Sequence, residues 1–418
     1  MYGRDEVGGR GRRRYVRGIG QFTLLISLLG CGMAFQSEAA EWSLAPSLSV
    51  KGVYNSNLLL TPLPHPESYG YWVSPATEFA GKTERLEVSS RLAADFVGYF
   101  GGPEVDKTFE NVFVPISARY KLERDVLGFT GGFVRDNTLL GELQETGVAL
   151  DFTQRNQWSA NPTWTRSVAE RWSLQMDSQF SYTTYDGNQP RLVDYRLVGG
   201  SGGVLYQLTE RDQIRLTGSY SEFQTVSSSL RASFPGVSMG LTHAFSESSS
   251  GTIYGGPKFL SSTVELGNSV DITSQDTVWV AGGRISKQFE RTMIQGSIAR
   301  DLSPSGFGLI IATNRAEVAS SYQLSETVTG SLSVVASITS GKSEAANGIV
   351  FRDRRYISVR PGISWKFSEW WEAELSYMYR WQDFELSPTE NPATPNTAQS
   401  HAATFMITYY HPRKSFSH

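Results

Sequence analysis

The sequence predicts an all-β fold, a transmembrane antiparallel up-and-down β-barrel of about 18 strands, with 16 as the alternative count. Three observations lead there. A polar turn containing a glutamate recurs eight times, at Glu84, Glu123, Glu170, Glu210, Glu247, Glu290, Glu326 and Glu369, at intervals of 36 to 47 residues. Each turn lies between two stretches in which apolar and polar residues alternate. Longer linkers separate one such hairpin from the next. A repeat of this size holds two strands of roughly 10 residues or more, one tight turn and one longer loop, which is the asymmetry of a membrane barrel.

Residues 1–39 read as a targeting segment, and residues 40–418 as the barrel. Arg10, Arg12, Arg13, Arg14 and Arg17 form a basic region, and Ile19 to Phe35 is a mainly apolar run of 17 residues. Ser37-Glu38-Ala39 places small residues where a signal peptidase reads them, so cleavage is expected after Ala39. Two alternatives stand beside this. One is an uncleaved anchor, for which the run is short. The other is lipidation at Cys31, because Leu28-Leu29-Gly30-Cys31 is similar to a lipobox. Cys31 is the only cysteine, so a chain without the segment has no disulfide. Removing residues 1–39 takes six arginines and three acids and moves the formal net charge from −3 to −6, which gives no reason to expect a nucleic-acid partner. No later stretch is apolar enough for a membrane helix. Barrel strands alternate and average out to polar, so this does not speak against a barrel.

The strands justify themselves in order. From Leu86, Val88, Ser90, Leu92, Ala94 and Phe96 alternate with Glu87, Ser89, Arg91, Ala93 and Asp95. From Trp172, Leu174, Met176, Phe180 and Tyr182 alternate with Ser173, Gln175, Asp177, Gln179 and Ser181. Trp371, Ala373, Leu375, Tyr377, Tyr379 and Trp381 alternate with Glu372, Glu374, Ser376, Met378 and Arg380. A period of two puts each set on one face, and runs of this length exceed those of soluble sheets. Nine longer linkers are expected near 61–71, 101–108, 138–145, 186–193, 225–229, 263–275, 303–308, 341–353 and 384–400. With eight short turns they join 18 strands, and the even count puts both termini on the short-turn, periplasmic side. The alternation blurs at 138–152 and 255–275, where Gly255-Gly256-Pro257 signals a bulge or bend. The final strand spans about His401 to Tyr410, with Ala403, Phe405, Ile407 and Tyr409 on one face. It is similar to the signal read by the outer-membrane assembly machinery, although residues continue past Tyr409 to His418.

Aromatics gather near strand ends, at Trp42, Tyr54, Trp72, Tyr99, Phe100, Phe109, Tyr120, Trp158, Trp164, Trp172, Tyr185, Phe245, Phe289, Phe367, Trp370, Trp371 and Trp381. Such rings suit the two membrane interfaces.

Val53-Tyr54-Asn55-Ser56-Asn57-Leu58, a Tyr-x-x-Asn step, followed by Ser74-Pro75 opening the second strand, resembles the β-barrel porins associated with exopolysaccharide export systems. The hairpin rhythm carries the resemblance across residues 42–410. It implies an outer-membrane location in a Gram-negative bacterium and a role in polysaccharide export.

No catalytic constellation stands out. His65, His243, His401, His411 and His418 show no metal-ligand spacing, so neither enzyme chemistry nor a cofactor or metal is expected. The run Gly199-Gly200-Ser201-Gly202-Gly203 lacks the following Lys-Ser or Lys-Thr of a phosphate loop and reads as a strand of small residues with close neighbours. The candidate functional residues are charges at mid-strand: Glu87, Arg91, Asp95, Arg119, Asp177, Arg215, Arg360, Glu374 and Arg380. Arg or Lys at mid-strand on the lipid face costs about 2–4 kcal/mol, so these are expected to face the lumen. They either select solutes in a water-filled conduit or form a structural network of opposite charges. The functional reading is a pore or export conduit for exopolysaccharide or small solutes. The alternatives are a non-conducting scaffold barrel of a polysaccharide-secretion machine and a secreted soluble β-protein. Expected partners are outer-membrane lipid, the assembly machinery, and polysaccharide or export-complex proteins.

Overall fold

The computed structural model describes residues 40–62, 67–102, 106–139, 152–187, 192–226, 230–266, 270–342, 353–385 and 395–417. The targeting segment and Cys31 lie outside them. The strands are β1 (Glu41–Asn55), β2 (Ser68–Lys82), β3 (Leu86–Phe100), β4 (Lys107–Lys121), β5 (Asp125–Asn137), β6 (Gln154–Ala169), β7 (Trp172–Tyr185), β8 (Tyr195–Gln207) and β9 (Asp212–Thr225). There follow β10 (Leu230–Ser233), β11 (Gly236–Ser246), β12 (Ser249–Leu266), β13 (Val270–Gln288), β14 (Thr292–Ser305), β15 (Leu309–Gln323), β16 (Val328–Gly341), β17 (Arg354–Lys366), β18 (Trp371–Phe384), β19 (Thr397–Tyr410) and β20 (Lys414–Ser417).

Apart from the β10–β11 and β19–β20 breaks, each strand pairs antiparallel with its sequence neighbours, and β1 pairs with both β2 and β19, which closes the sheet. Two interruptions make twenty segments out of eighteen wall strands. β10 and β11 are one strand broken at Phe234-Pro235, since both pair with β9 and β12 in unbroken register. β20 continues β19 along β1: Ser47 pairs with Tyr410 and Leu44 with Lys414, so one extra residue is absorbed around Pro412. Proline has no N–H for the ladder, which places the irregularity there. The residues beyond Tyr409 therefore finish the seam, with Trp42 opposite Phe416.

All eight glutamate turns join consecutive strands at the expected places. The linkers differ more. Strands β12 and β13 run on to Leu266 and from Val270, and β14 and β15 to Ser305 and from Leu309, so the described residues of the linker expected at 263–275, and half of that expected at 303–308, are strand. Paired ribbons keep their backbone bonds above the membrane, where no apolar face is required, so alternation fades before the strand ends. For the same reason β2 opens at Ser68 rather than at Ser74-Pro75. β1 instead stops early, at Asn55, where the Asn57 N–H donates to Asn55 Oδ1 at 2.9 Å and the chain turns away. Gly255-Gly256-Pro257 keeps its register with β13. A Cβ on Gly256 would sit 1.9 Å from the Val237 carbonyl, so the glycine marks a close approach rather than a bulge. The register shift in this hairpin lies between Ala244 and Ser246.

One face of the wall is apolar and open: Leu48, Val50, Tyr71, Leu92, Phe96, Met176, Val198, Ile253, Trp279 and Ile298 are 40–66% exposed or within that span. Aromatic pairs sit on this face toward both ends of the strands, as with Trp42–Phe79, Trp172–Tyr206 and Trp371–Tyr409 at the short-turn end and Tyr69–Phe100 at the other. The opposite face must be the concave one. The Val193 N–H, after β7, donates to the Gly306 carbonyl, after β14, at 2.8 Å. Segments so far apart around the wall meet only across the barrel mouth.

Parity also corrects part of the aromatic belt. Trp72, Tyr99, Phe109 and Tyr185 are buried. Trp72, Tyr99 and Phe109 pack with Leu58, Val97, Leu139 and Phe152, and Tyr185 joins a second cluster. Their strand neighbours Tyr71 and Phe100 are the ones left exposed. Composition near a strand end does not say which face a ring takes.

Candidate functional site

The concave face carries its charges in separate groups. The first spans the closing seam. Lys51 of β1 stands over the Trp72 ring at 4.0 Å and lies within electrostatic reach of Asp95, Arg360 and Glu374. Arg360 Nη2 donates to Glu374 Oε1 at 3.4 Å and to Ser376 Oγ at 3.3 Å. Arg91 Nε lies 3.7 Å from Glu78 Oε1, and the two side chains are 62% and 66% exposed. Asp95, Arg360 and Glu374, read from the sequence, are thus gathered around Lys51, and Arg91 pairs with Glu78; Lys51 and Glu78 were not read from it. Lys51 sits in phase with Ser47 and Ser49 along β1, a polar alternation that marks its face.

The second group is at the β3–β4 hairpin. Glu87 and Arg119 are cross-strand partners, yet Glu87 Oε1 accepts from Lys121 Nζ, at 2.7 Å. The third runs over β7 to β9. Arg215 Nη2 donates to Gln175 Oε1; Gln175 Nε2 donates to Asp177 Oδ1 at 2.9 Å, and Ser201 Oγ to Asp177 Oδ2 at 3.1 Å. Ser201 stands in the glycine-rich run, where a Cβ on Gly199 would meet Ser221 Oγ at 2.5 Å.

Arg380 is different. It is 6% exposed and lies under the chain that leaves β1. Its Nη2 donates to the carbonyls of Asn57 and Leu58, each at 3.2 Å, and to Ser400 Oγ at 3.1 Å. Gln382 Nε2 donates to the Leu60 carbonyl, and Leu60 is fully buried at φ 54°. A left-handed leucine costs about 1–2 kcal/mol, so this fold-back is held by its contacts against local strain. A mid-strand arginine in the sequence is here a strap over the β18–β19 wall.

Apolar segments fold in at the long-loop end. The β13–β14 ladder stops at Ala281–Arg300, while β14 continues to Ser305 paired only with β15. Leu309, Ile310, Ile311 and Ala312 are 0–1% exposed, so both faces of this hairpin tip are covered. One face packs with Leu260, Val278 and Phe223; Phe307, Leu309 and Ile311 form the other, and Leu192 packs against both. Lys258 Nζ and Asp301 Oδ1 tie the tip to β12 at 2.7 Å. An in-turned hairpin has no signature in a periodicity of two, which is why the sequence did not disclose it. The Asp136–Arg155 ion pair, at 2.9 Å with side chains 7% and 3% exposed, likewise went unread.

Among the described residues no group of His, Cys, Asp and Glu is placed to hold a metal. His243 Nδ1 hydrogen-bonds Asp212 Oδ1 at 2.7 Å, and His401 Nδ1 hydrogen-bonds the Tyr377 hydroxyl at 2.6 Å. His65 and His418 lie outside the described residues.

A closed wall of 18 antiparallel strands with an open apolar exterior, short turns at one end and longer loops at the other is an outer-membrane β-barrel of porin-like form. No family model matches the sequence, and a search of curated proteins finds no relative. In fold the chain is similar to Pseudomonas aeruginosa OccK2 (OpdF), solved in complex with glucuronate, at 7% identity and a TM-score of 0.44, covering 89% of this chain and 97% of that one. It is similar to Acinetobacter baumannii OccAB4 at 11% identity and a TM-score of 0.43, covering 91% and 99%. Similarity to the copper transporter OprC stands at 8% identity and a TM-score of 0.44, covering 88% and 80%.

Proposed function

We propose that the barrel is a passive conduit across the outer membrane, lined by Glu87, Arg91, Asp95, Arg119, Asp177, Arg215, Arg360 and Glu374, and narrowed at its outer end by the β14–β15 tip. The observation that carries this reading is the exposure of Arg91 and Glu78. A barrel filled solid would bury a charge pair on its concave face, and burial without full pairing is costly. Water around these side chains is what a conduit supplies. Both signs of charge occur along the lining, which favours polar solutes over a single class of ion. The sequence resemblance to porins associated with exopolysaccharide export adds polysaccharide as a cargo class. The reading has no enzymatic step. Its partners are outer-membrane lipid, the assembly machinery acting on the closing strand, and export-complex proteins.

Single-channel recording of the purified barrel in planar bilayers tests it. Discrete conductance steps support the conduit. A barrel that inserts and never conducts is instead a scaffold.

A further inference from the structure

The lumen wall is divided into a charged arc and an uncharged one, and the conduit reading gives the second no role. From β15 round through β1 to β4 the charges meet one another. Arg315 Nη2 lies 3.3 Å from Glu317 Oε2, Arg360 Nη2 3.4 Å from Glu374 Oε1, Arg91 Nε 3.7 Å from Glu78 Oε1 and Lys121 Nζ 2.7 Å from Glu87 Oε1. Among the described residues, the concave faces of β6 to β11 carry three charges, Arg155, Asp177 and Arg215. All three are taken. Arg155 is buried in its pair with Asp136, and Gln175 joins Arg215 to Asp177.

The uncharged arc holds amides and hydroxyls that have no partner. Asn161 and Gln179 fall opposite each other between the Ala160–Phe180 and Thr163–Asp177 rungs of β6 and β7, and Thr217 faces Ser238 across β9 and β11. Between these pairs β8 turns only Gly199, Ser201 and Gly203 to the lumen at mid-strand, which gives the arc its depth. None of Asn161, Thr163, Gln179, Thr217 and Ser238 makes a side-chain hydrogen bond among the described residues, and Gln179 is exposed. Other polar side chains of this wall are spent on neighbours, as with Thr242 on Thr252 at 3.0 Å and Gln157 on Ser181 at 3.3 Å. The donors and acceptors of the five are left to whatever fills the lumen.

We infer that this arc is the track of an uncharged polyhydroxylated solute, a neutral glycan, which hydrogen-bonds Asn161, Thr163, Gln179, Thr217 and Ser238 in passage. The chemistry selects it on two counts. Amides and hydroxyls both donate and accept, as the hydroxyls of a sugar do, so each contact can be made in either sense. An acidic or basic solute finds no free charge on this arc, and giving up its hydration unpaired is costly. From β6 to β9 the arc is roughly 14 Å wide at the spacing of paired strands, so more than one sugar ring can lie on it. The inference names the cargo of the proposed conduit and rests on that reading.

Saturation-transfer NMR on the purified barrel in a sugar-free detergent tests it. Maltohexaose is the neutral probe, hexagalacturonate the acidic one, and a poly(ethylene glycol) of matched length, which accepts hydrogen bonds but donates none, the control. Maltohexaose is expected to bind about tenfold or more tightly than either of the others. Asn161→Ala/Gln179→Ala and, independently, the near-isosteric Thr163→Val/Thr217→Val should each weaken it about tenfold, the loss of two hydrogen bonds. Slower gel migration after heating checks that each variant is a closed barrel. Maltohexaose that does not bind, or binds no tighter than hexagalacturonate, overturns the inference. So does maltohexaose binding that neither double variant weakens. The conduit reading fails separately, where the barrel binds maltohexaose on this arc and passes no current.

Discussion

Arg91 and Glu78 are direct partners across the β2–β3 ladder, 3.7 Å apart at their nearest charged atoms, and each keeps more than half of its side chain exposed. One position along β3, Leu92 is 40% exposed on the other face. The strand thus separates a wet charged face from an apolar one within a single residue.

From that separation, Arg91→Leu should assemble normally and shift the ion selectivity of the conducting barrel, read as a reversal potential under a salt gradient. Leu92→Arg should cost roughly 2–4 kcal/mol, read as a lower urea midpoint for folding into vesicles. Equal tolerance of both means the faces are exchanged.

The in-turned hairpin predicts a second result. Leu309 and Ile310 are covered on opposite faces of the β14–β15 tip. Replacing either by Ser removes packing of the order of 2–5 kcal/mol. The wall ladders below Arg300 are untouched, so the closed barrel should persist while single-channel conductance rises. Unchanged conductance shows that the tip does not limit passage.

Arg380 holds the segment leaving β1 through the Asn57 and Leu58 carbonyls. Arg380→Ala should release that segment, since Leu60 sits in a strained backbone conformation that its contacts maintain. Limited proteolysis of folded protein should then cut near residues 56–62, where the unmodified chain resists. Resistance in the variant shows that the strap is held by packing alone.

Orientation follows from loop length. A cysteine at Asp353, beside the loop after β16, should react with an impermeant maleimide on intact cells, and one at Glu210, in a short turn, should not. The reverse pattern inverts the barrel.

The targeting segment makes its own prediction. Cys31→Ser should leave the protein in the outer-membrane fraction if residues 1–39 are cleaved as a signal peptide. Loss of membrane association identifies Cys31 as a lipid anchor.

The amino-acid sequence by itself determined the wall. The eight glutamate turns, the strand count, the antiparallel order and the two-faced alternation of β3, β7 and β18 are local properties, because a β-strand writes its faces with a period of two and a short turn fixes its register. What only the tertiary structure decided is what the wall encloses. Lys51 comes within electrostatic reach of Arg360 and Glu374 only because β1 closes against β19. Arg380 becomes a strap because residues 57–60 fold back on it. Trp72 and Tyr99 leave the membrane interface because a loop packs on their face. The β14–β15 tip turns inward because apolar side chains on both its faces find cover in the mouth. These contacts join residues far apart in the chain across a curved sheet. Their free energy depends on closure, which no window of the sequence contains.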